Sequence, residues 1–270
     1  MSKYGSFKTK LEYITDENFY YLGANKSKIY KAQLDGNGKE LRLTNEQVFA
    51  CVRYAYSMAK ENKQRENRSG GSHKRNELEI FWDAFRGKIA ESYAKRYFEM
   101  QRFTVSDIDF KVYERGEWDN YDLLVNGHVV AIKSSKHFSQ LLLLETKDWN
   151  DKGEYTGNKG HDEYTPEWFL FVRTRITEKN GSFKCDKLGT LEEMSNLVSD
   201  IDITAELTGS LSFNDFVNQV IKYKYIIKRG ARFKATRSSE GTIMDAENYY
   251  VKLSELESVE SMMKKIQKQV

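Results

Sequence analysis

The stretch Trp118–Lys136, WDNYDLLVNGHVVAIKSSK, decides how the fold is read. Asn126-Gly127 between two apolar runs marks a two-residue hairpin turn, because the favoured turn needs left-handed backbone at both central positions. The turn sets the register: Val125 faces His128, Leu124 faces Val129, Leu123 faces Val130 and Asp122 faces Ala131. Side chains alternate along a strand, so Leu123, Val125, Val130 and Ile132 share an apolar face, while Asp122, Ala131 and Lys133 share the other. A carboxylate and an ammonium are thus expected to converge at the end of a core hairpin, next to the polar run Ser134, Ser135, Lys136 and His137. On a solvated sheet such a pair contributes under about 1 kcal/mol. The core character of both strands favours a functional role instead.

Upstream, the pattern predicts a helix from about Asn76 to Met100 with two stripes. Leu78, Phe81, Trp82, Phe85, Ile89 and Tyr93 form the large one; Ala84, Gly87, Glu91, Ala94 and Phe98 form the small one, with Glu91 inside it. An earlier helix is expected from Asn45, its cap, to about Asn67, preceded by a hairpin around Asp35-Gly36-Asn37-Gly38. The polar run 61–75 reads as an exposed linker. Further strands are expected at Ile108–Tyr113 and Trp168–Ile176, with helical patterns at Leu191–Val198, Phe213–Ile221 and Val251–Val270. The fold class is therefore α/β (α+β), one mixed central sheet flanked by helices. The expected organisation is an N-terminal hairpin, helix and basic linker (1–75), a central core (76–210), and a basic C-terminal region with a final helix (211–270).

The 270 residues carry 43 Lys+Arg against 40 Asp+Glu, a net charge of +3 that selects no partner by itself. Thirteen per cent aromatic residues argue for a packed core. No apolar run approaches the roughly 20 residues of a membrane span, and MSKYGSFKTK lacks an apolar signal core, so the reading is a cytoplasmic protein with no membrane partner. Cys51 and Cys185 cannot build a disulfide framework and read as buried or idle thiols. The four histidines lack zinc spacing, His137 reads first as a surface residue, and no phosphate-binding glycine loop is present, which speaks against a nucleotide cofactor.

The distribution of charge is more telling than its sum. From Val217 to Ser239 there are seven basic residues, Lys222, Lys224, Lys228, Arg229, Arg232, Lys234 and Arg237, and no acid. Tyr223, Tyr225 and Phe233 interleave them, a composition suited to phosphates and bases. Lys60, Lys63, Arg65, Arg68, Lys74 and Arg75 form a second cluster, and Arg115 stands near the hairpin. Arg68, Lys74, Arg75, Arg115, Ser134, Ser135, Lys136, Lys228, Arg229, Arg232, Lys234 and Arg237 are the candidate DNA contacts.

Asp122 on one strand, Lys133 at the end of the next, and the helical Gly87-Lys88-Ile89-Ala90-Glu91 before them resemble the PD-(D/E)xK nuclease superfamily, which includes many type II restriction endonucleases. The resemblance spans residues 77–175. It implies a restriction-endonuclease-like core and Mg2+-dependent hydrolysis of double-stranded DNA to 5′-phosphate and 3′-hydroxyl ends, most simply by a homodimer in a bacterial or phage-infected cell. Lys133 would stabilise the attacking hydroxide, and Asp122 with Glu91 or Glu145 would ligate metal. The motif's second acidic position is Ala131 here. Three readings follow. The acid comes from Glu91 or Glu145, the latter 12 residues after Lys133 and within reach if FSQLLLLE is helical. Alternatively Ala131 replaces an engineered-out glutamate, or the chain is a catalytically inactive DNA-binding protein. A modification-dependent or repair nuclease is a further task for the same fold. The amphipathic C-terminal stripe Leu256, Val259, Met263, Ile266 and Val270 serves either dimerisation or, more simply, packing onto its own domain.

Overall fold

From its N-terminus the chain forms β1 (Glu12–Ile14), β2 (Phe19–Tyr21), α1 (Asn45–Lys60), α2 (Glu77–Met100), β3 (Leu123–Val125), β4 (His128–Lys136) and β5 (Leu141–Glu145). There follow β6 (Trp168–Glu178), α3 (Leu191–Ser199), β7 (Ile201–Ser212), α4 (Phe213–Asp215), β8 (Ile226–Ile227), β9 (Arg232–Lys234), β10 (Thr242–Ile243), β11 (Asn248–Lys252) and α5 (Val259–Lys268). This computed structural model describes residues 7, 10–23, 29–61, 75–113, 121–156, 165–178 and 185–268. It is a mixed α/β protein of the α+β kind.

The hairpin forms in the register the sequence dictates: Leu123↔Val130, Leu124↔Val129 and Val125↔His128. Asn126 (φ 50°) and Gly127 (φ 84°) take the left-handed backbone that this turn requires. The central sheet runs β3-β4-β6-β7, with β4 parallel to β6 and the other pairs antiparallel. A bulge at Phe171/Val172 shifts the β6–β7 register. Nearby Gly209 lets the chain crossing at Leu256–Glu257 come close, since a Cβ there would meet Leu256 Cβ at 2.8 Å and the Glu257 carbonyl oxygen at 2.9 Å.

The two faces of this sheet bury different partners. Leu123, Val125, Val130, Ile132, Leu170 and Val172 pack with α1, α2, α3 and α5. Ala131, Phe169, Phe171 and Leu211 pack with the second sheet, β5-β11-β8. Rings of Trp149, Phe169 and Phe216 pin the two sheets together, each pair of centroids 5.1–5.3 Å apart and edge-on. A third sheet, β1-β2-β9-β10, joins strands from both ends of the chain.

Helix α2 is buried on nearly all sides, with Phe81, Phe85, Ile89, Ala90, Ala94 and Phe98 at 0% exposure. Both of its stripes are therefore used, and full burial of each large side chain contributes roughly 1.5–3 kcal/mol. It starts at a capping box: Asn76 Oδ1 accepts from the Glu79 N–H (2.9 Å), and Glu79 Oε2 from the Asn76 N–H (2.8 Å). In α1 the cap is Thr44 rather than Asn45, because Thr44 and Gln47 form the same reciprocal pair. That helix closes at Lys60, short of the expected Asn67; residues 62–74 of the linker lie outside the described residues.

The structure departs from the sequence pattern at five places. Residues 108–113 form no strand; the chain just before them is tied to β3 and its turn by the bridge Val105↔Val125 and by hydrogen bonds of Thr104 and Ser106 to Asn126 and Leu124, and Ile108 and Val112 pack on the core. FSQLLLLE yields strand β5, not a helix: the run carries no helical periodicity, and Leu141, Leu142 and Leu144 pack into the apolar cluster of the second sheet while Leu143 stays exposed. The final helix covers only Val259–Lys268, because Asn248–Lys252, rich in Tyr and Val, completes a strand first. Strand β7 has no counterpart in the expected elements. Phe213–Ile221 becomes the short α4 followed by a π-helical turn. The apolar stripe of α5 packs against its own chain, burying Val259, Met262, Met263 and Ile266. No helix among the described residues is long and apolar enough to cross a membrane.

Candidate active site

Strand β3 is three residues long and β4 nine, so from Ala131 to Lys136 strand β4 pairs with β6 on one side and has no strand on the other among the described residues. An open edge exposes backbone donors and acceptors. Asp122, at the bend entering β3, meets the first of them: its Oδ2 accepts from the Ile132 N–H at 2.6 Å. A cavity of about 630 Å3 opens along this edge. Asp122, Lys133, Ser134, Ser135 and Lys136 form one wall; Glu91 and Lys88 of α2 reach it from one face of the sheet, and Glu145 of β5 from the other.

The four polar candidates Asp122, Lys133, Glu91 and Glu145 therefore share one cavity, although β5 is a strand. Asp122 and Lys133 both line the cavity and form no ion pair with each other. The Lys133 ammonium has no hydrogen-bond or ion-pair partner among the described residues and is available to the cavity. Ala131 departs from the group: 2% exposed, it packs in the cluster of Phe169 and Phe171 and does not line the cavity. Arg75 lines the cavity but is paired with Asp83 at 2.9 Å. Arg68, Lys74 and Arg115 lie outside the described residues.

Each carboxylate has its own electrostatic setting. Glu91, buried, is held by the equally buried Lys88, Nζ to Oε2 2.7 Å, and that ammonium also faces the Tyr54 ring at 4.9 Å. Burial first, then Asp148 and Asp245, push the Glu145 carboxyl up to about 7, with Lys147 opposing. Lys147 Nζ lies 3.2 Å from Glu145 Oε2, yet this oxygen is buried without a hydrogen-bond partner among the described residues. Burial lowers the Arg86 guanidinium from its ordinary value, and its Nε is likewise orphaned. Overall the lining contains five acids (Asp83, Glu91, Asp122, Glu145, Asp148) and five bases (Arg75, Arg86, Lys88, Lys133, Lys136).

Asp83, Arg86, Lys88 and Asp148 are charged members of the lining that sequence reasoning missed, and of these Lys88 had a signal in the sequence. The signal was a Lys three residues before Glu91 in an otherwise apolar helix, the spacing that places both on one side.

The donor set fits a hard cation held by one or two carboxylates with water and substrate oxygens, the mode Mg2+ favours. It does not fit a cation enclosed by protein: among the described residues no group of three or more Asp, Glu, His or Cys is placed to hold one. Neither thiol takes part, since burial first pushes Cys51 up to about 12 and Cys185 donates to the Lys187 carbonyl oxygen.

The basic C-terminal run lies away from this cavity, and none of its residues lines it. Strands β1 and β2 bring acids to it: Glu17 stands 3.5 Å from Lys234, and Glu12 3.4 Å from Arg237. Lys228 covers the Tyr13 ring, Arg232 donates to the Glu240 carbonyl oxygen, and Arg229 is exposed. The run without acids in sequence is thus partly neutralised in space. No protein-family model matches the chain, and neither the curated proteins nor the solved structures give a match.

Proposed function

We propose that the chain is a Mg2+-dependent endonuclease of double-stranded DNA with a restriction-endonuclease-like core, in the manner of a homodimeric type II restriction enzyme. The observation that carries this reading is the convergence of Asp122, Lys133, Glu91 and Glu145 on one cavity along an open strand edge. Phosphodiester hydrolysis needs an activated water and neutralisation of charge on the phosphate and leaving oxygen. Asp122 and Glu145 would hold the cation, with Glu91 joining when Lys88 yields it; bound Mg2+ supplies Lewis-acid charge neutralisation and a more acidic water. Lys133 offers its ammonium to the phosphate and the attacking oxygen. In the metal-free chain burial holds the Glu145 carboxyl near 7, so a cation binding there would displace a proton near neutral pH. Ser134, Ser135 and Lys136 supply donors along the same edge.

A second reading, a catalytically inactive DNA-binding protein of this fold, is favoured by one observation: the motif's acidic position holds Ala131, packed into core rather than facing the cavity. Incubation with supercoiled plasmid and Mg2+ separates the two. The nuclease reading expects nicked or linear product that EDTA abolishes. Retarded but intact plasmid supports the binding protein.

A further inference from the structure

The turn that leaves β4 beside the cavity presents a patch that the hydrolytic chemistry does not use. Ile29 and Phe138 are the most exposed large apolar side chains among the described residues, 80% and 64% exposed. Each is the chain neighbour of one member of a ring pair: Tyr30 and His137 stand edge to face with centroids 5.9 Å apart, and His137 meets Phe138 at 5.4 Å. Over Tyr30 lies the Arg175 guanidinium, 4.5 Å from the ring centroid. Arg173, 5.9 Å from the same ring, has its charge engaged by Glu206, Nε to Oε2 2.9 Å. Arg175 and Lys136 are both exposed, and neither has an acidic partner among the described residues. The patch is continuous with the cavity: Lys136, Ser135 and Ser139 line it, Ser135 and Ser139 share a hydroxyl hydrogen bond, and Arg173 Nη1 donates to the Ser139 carbonyl oxygen at 3.3 Å.

An exposed apolar side chain standing alone has no special meaning. Here two flank an aromatic–imidazole pair, with uncompensated cations on the rim. A ligand that satisfies both features is polyanionic and has flat apolar faces, which describes a nucleic-acid strand with a base turned out of its stack. We propose that Phe138 is a base-stacking wedge, and that Lys136 and Arg175 hold the phosphates of the strand leaving the cavity. Tyr30 and His137 form the backing that fixes the wedge and its arginine. The inference rests on the nuclease reading, from which it takes the direction of the strand.

The test uses the full chain in EDTA, so that no cleavage occurs, and a DNA duplex with a short single-stranded tail carrying 2-aminopurine at the junction. Wild-type chain is expected to change the 2-aminopurine fluorescence on binding, and Phe138→Ala to lose that change. Loss of the stack should weaken affinity about 5- to 100-fold by anisotropy. Phe138→Trp should restore both, a rescue that a merely structural role would not give, and Arg175→Ala should flatten the salt dependence. Phe138 is largely exposed, so an unchanged thermal midpoint serves as the folding control. Unaltered signal and affinity in Phe138→Ala overturn the wedge, as does a wild-type chain that binds no DNA, the result expected of an acidic protein partner. A Phe138-dependent signal without Mg2+-dependent cleavage of plasmid retains the subsite and refutes the nuclease reading alone.

Discussion

Replacing Glu145 by glutamine turns its electrostatic setting into a measurable stability difference. The carboxyl is raised from 4.5 to about 7, chiefly by burial. A raised carboxylate pKa means the folded chain binds the proton more tightly than the unfolded chain, so this group stabilises the fold least where it is charged. Its contribution is present below about pH 4.5 and is lost as pH rises through about 7. A rise of about 2.5 at 1.36 kcal/mol per pH unit sets an upper figure of about 3 kcal/mol. The side chain retains 17% exposure, which puts the expected effect nearer about 2 kcal/mol. The glutamine of Glu145→Gln carries no titration. Urea unfolding of both chains between pH 4.5 and 8 should show the variant gaining about 2 kcal/mol relative to wild type across that interval, mostly between pH 5 and 7.5. Parallel stability curves would refute the reasoning. If Glu145 ligates the cation, millimolar Mg2+ should shrink the gain, because a bound cation favours the charged carboxylate.

Ala131→Glu places a carboxylate among Phe169 and Phe171 at a site 2% exposed, so it should cost about 3 kcal/mol, lower the thermal midpoint by roughly 6–12 °C and add no cleavage. Unchanged stability with new activity would show instead that alanine stands in for a functional acid. Glu91→Leu removes the carboxylate 2.7 Å from buried Lys88 and should cost about 3–5 kcal/mol, whereas the double change with Lys88→Met should be near neutral by urea denaturation. Arg173→Met leaves the largely buried Glu206 without its guanidinium and should likewise lose about 3–5 kcal/mol, measured by calorimetry.

The hairpin was legible because Asn126-Gly127 admits one turn and alternation then assigns every side chain a face. The span of α2 was legible from its two stripes at helical spacing, and the Asn76–Glu79 capping box fixes its start. What sequence could not show was where β3 stops. The open edge along the cavity arises because β3 pairs with only the first three of the nine residues of β4 among the described residues. Strand β7 escaped because its faces mix Thr, Ser and Gly with Ile and Leu, so burial on both sides is hidden by composition. Leu141–Leu144 carried no period from which to separate strand from helix, and Glu145 reaches the cavity from a strand instead of a helix. The grouping of Glu12 and Glu17 with the C-terminal cations joins chain ends more than 200 residues apart, beyond the reach of any local pattern.

The central claim is that Asp122 and Lys133 act on a phosphodiester from one cavity. Its most direct test is the single-turnover rate of supercoiled-plasmid cleavage in Mg2+ by wild type, Asp122→Asn and Lys133→Met, each shown to be folded by its thermal midpoint. The account predicts Mg2+-dependent cleavage by wild type and a loss of about 100-fold or more in either variant. Cleavage that both substitutions leave unchanged, or wild-type chain that leaves the plasmid intact, would contradict it.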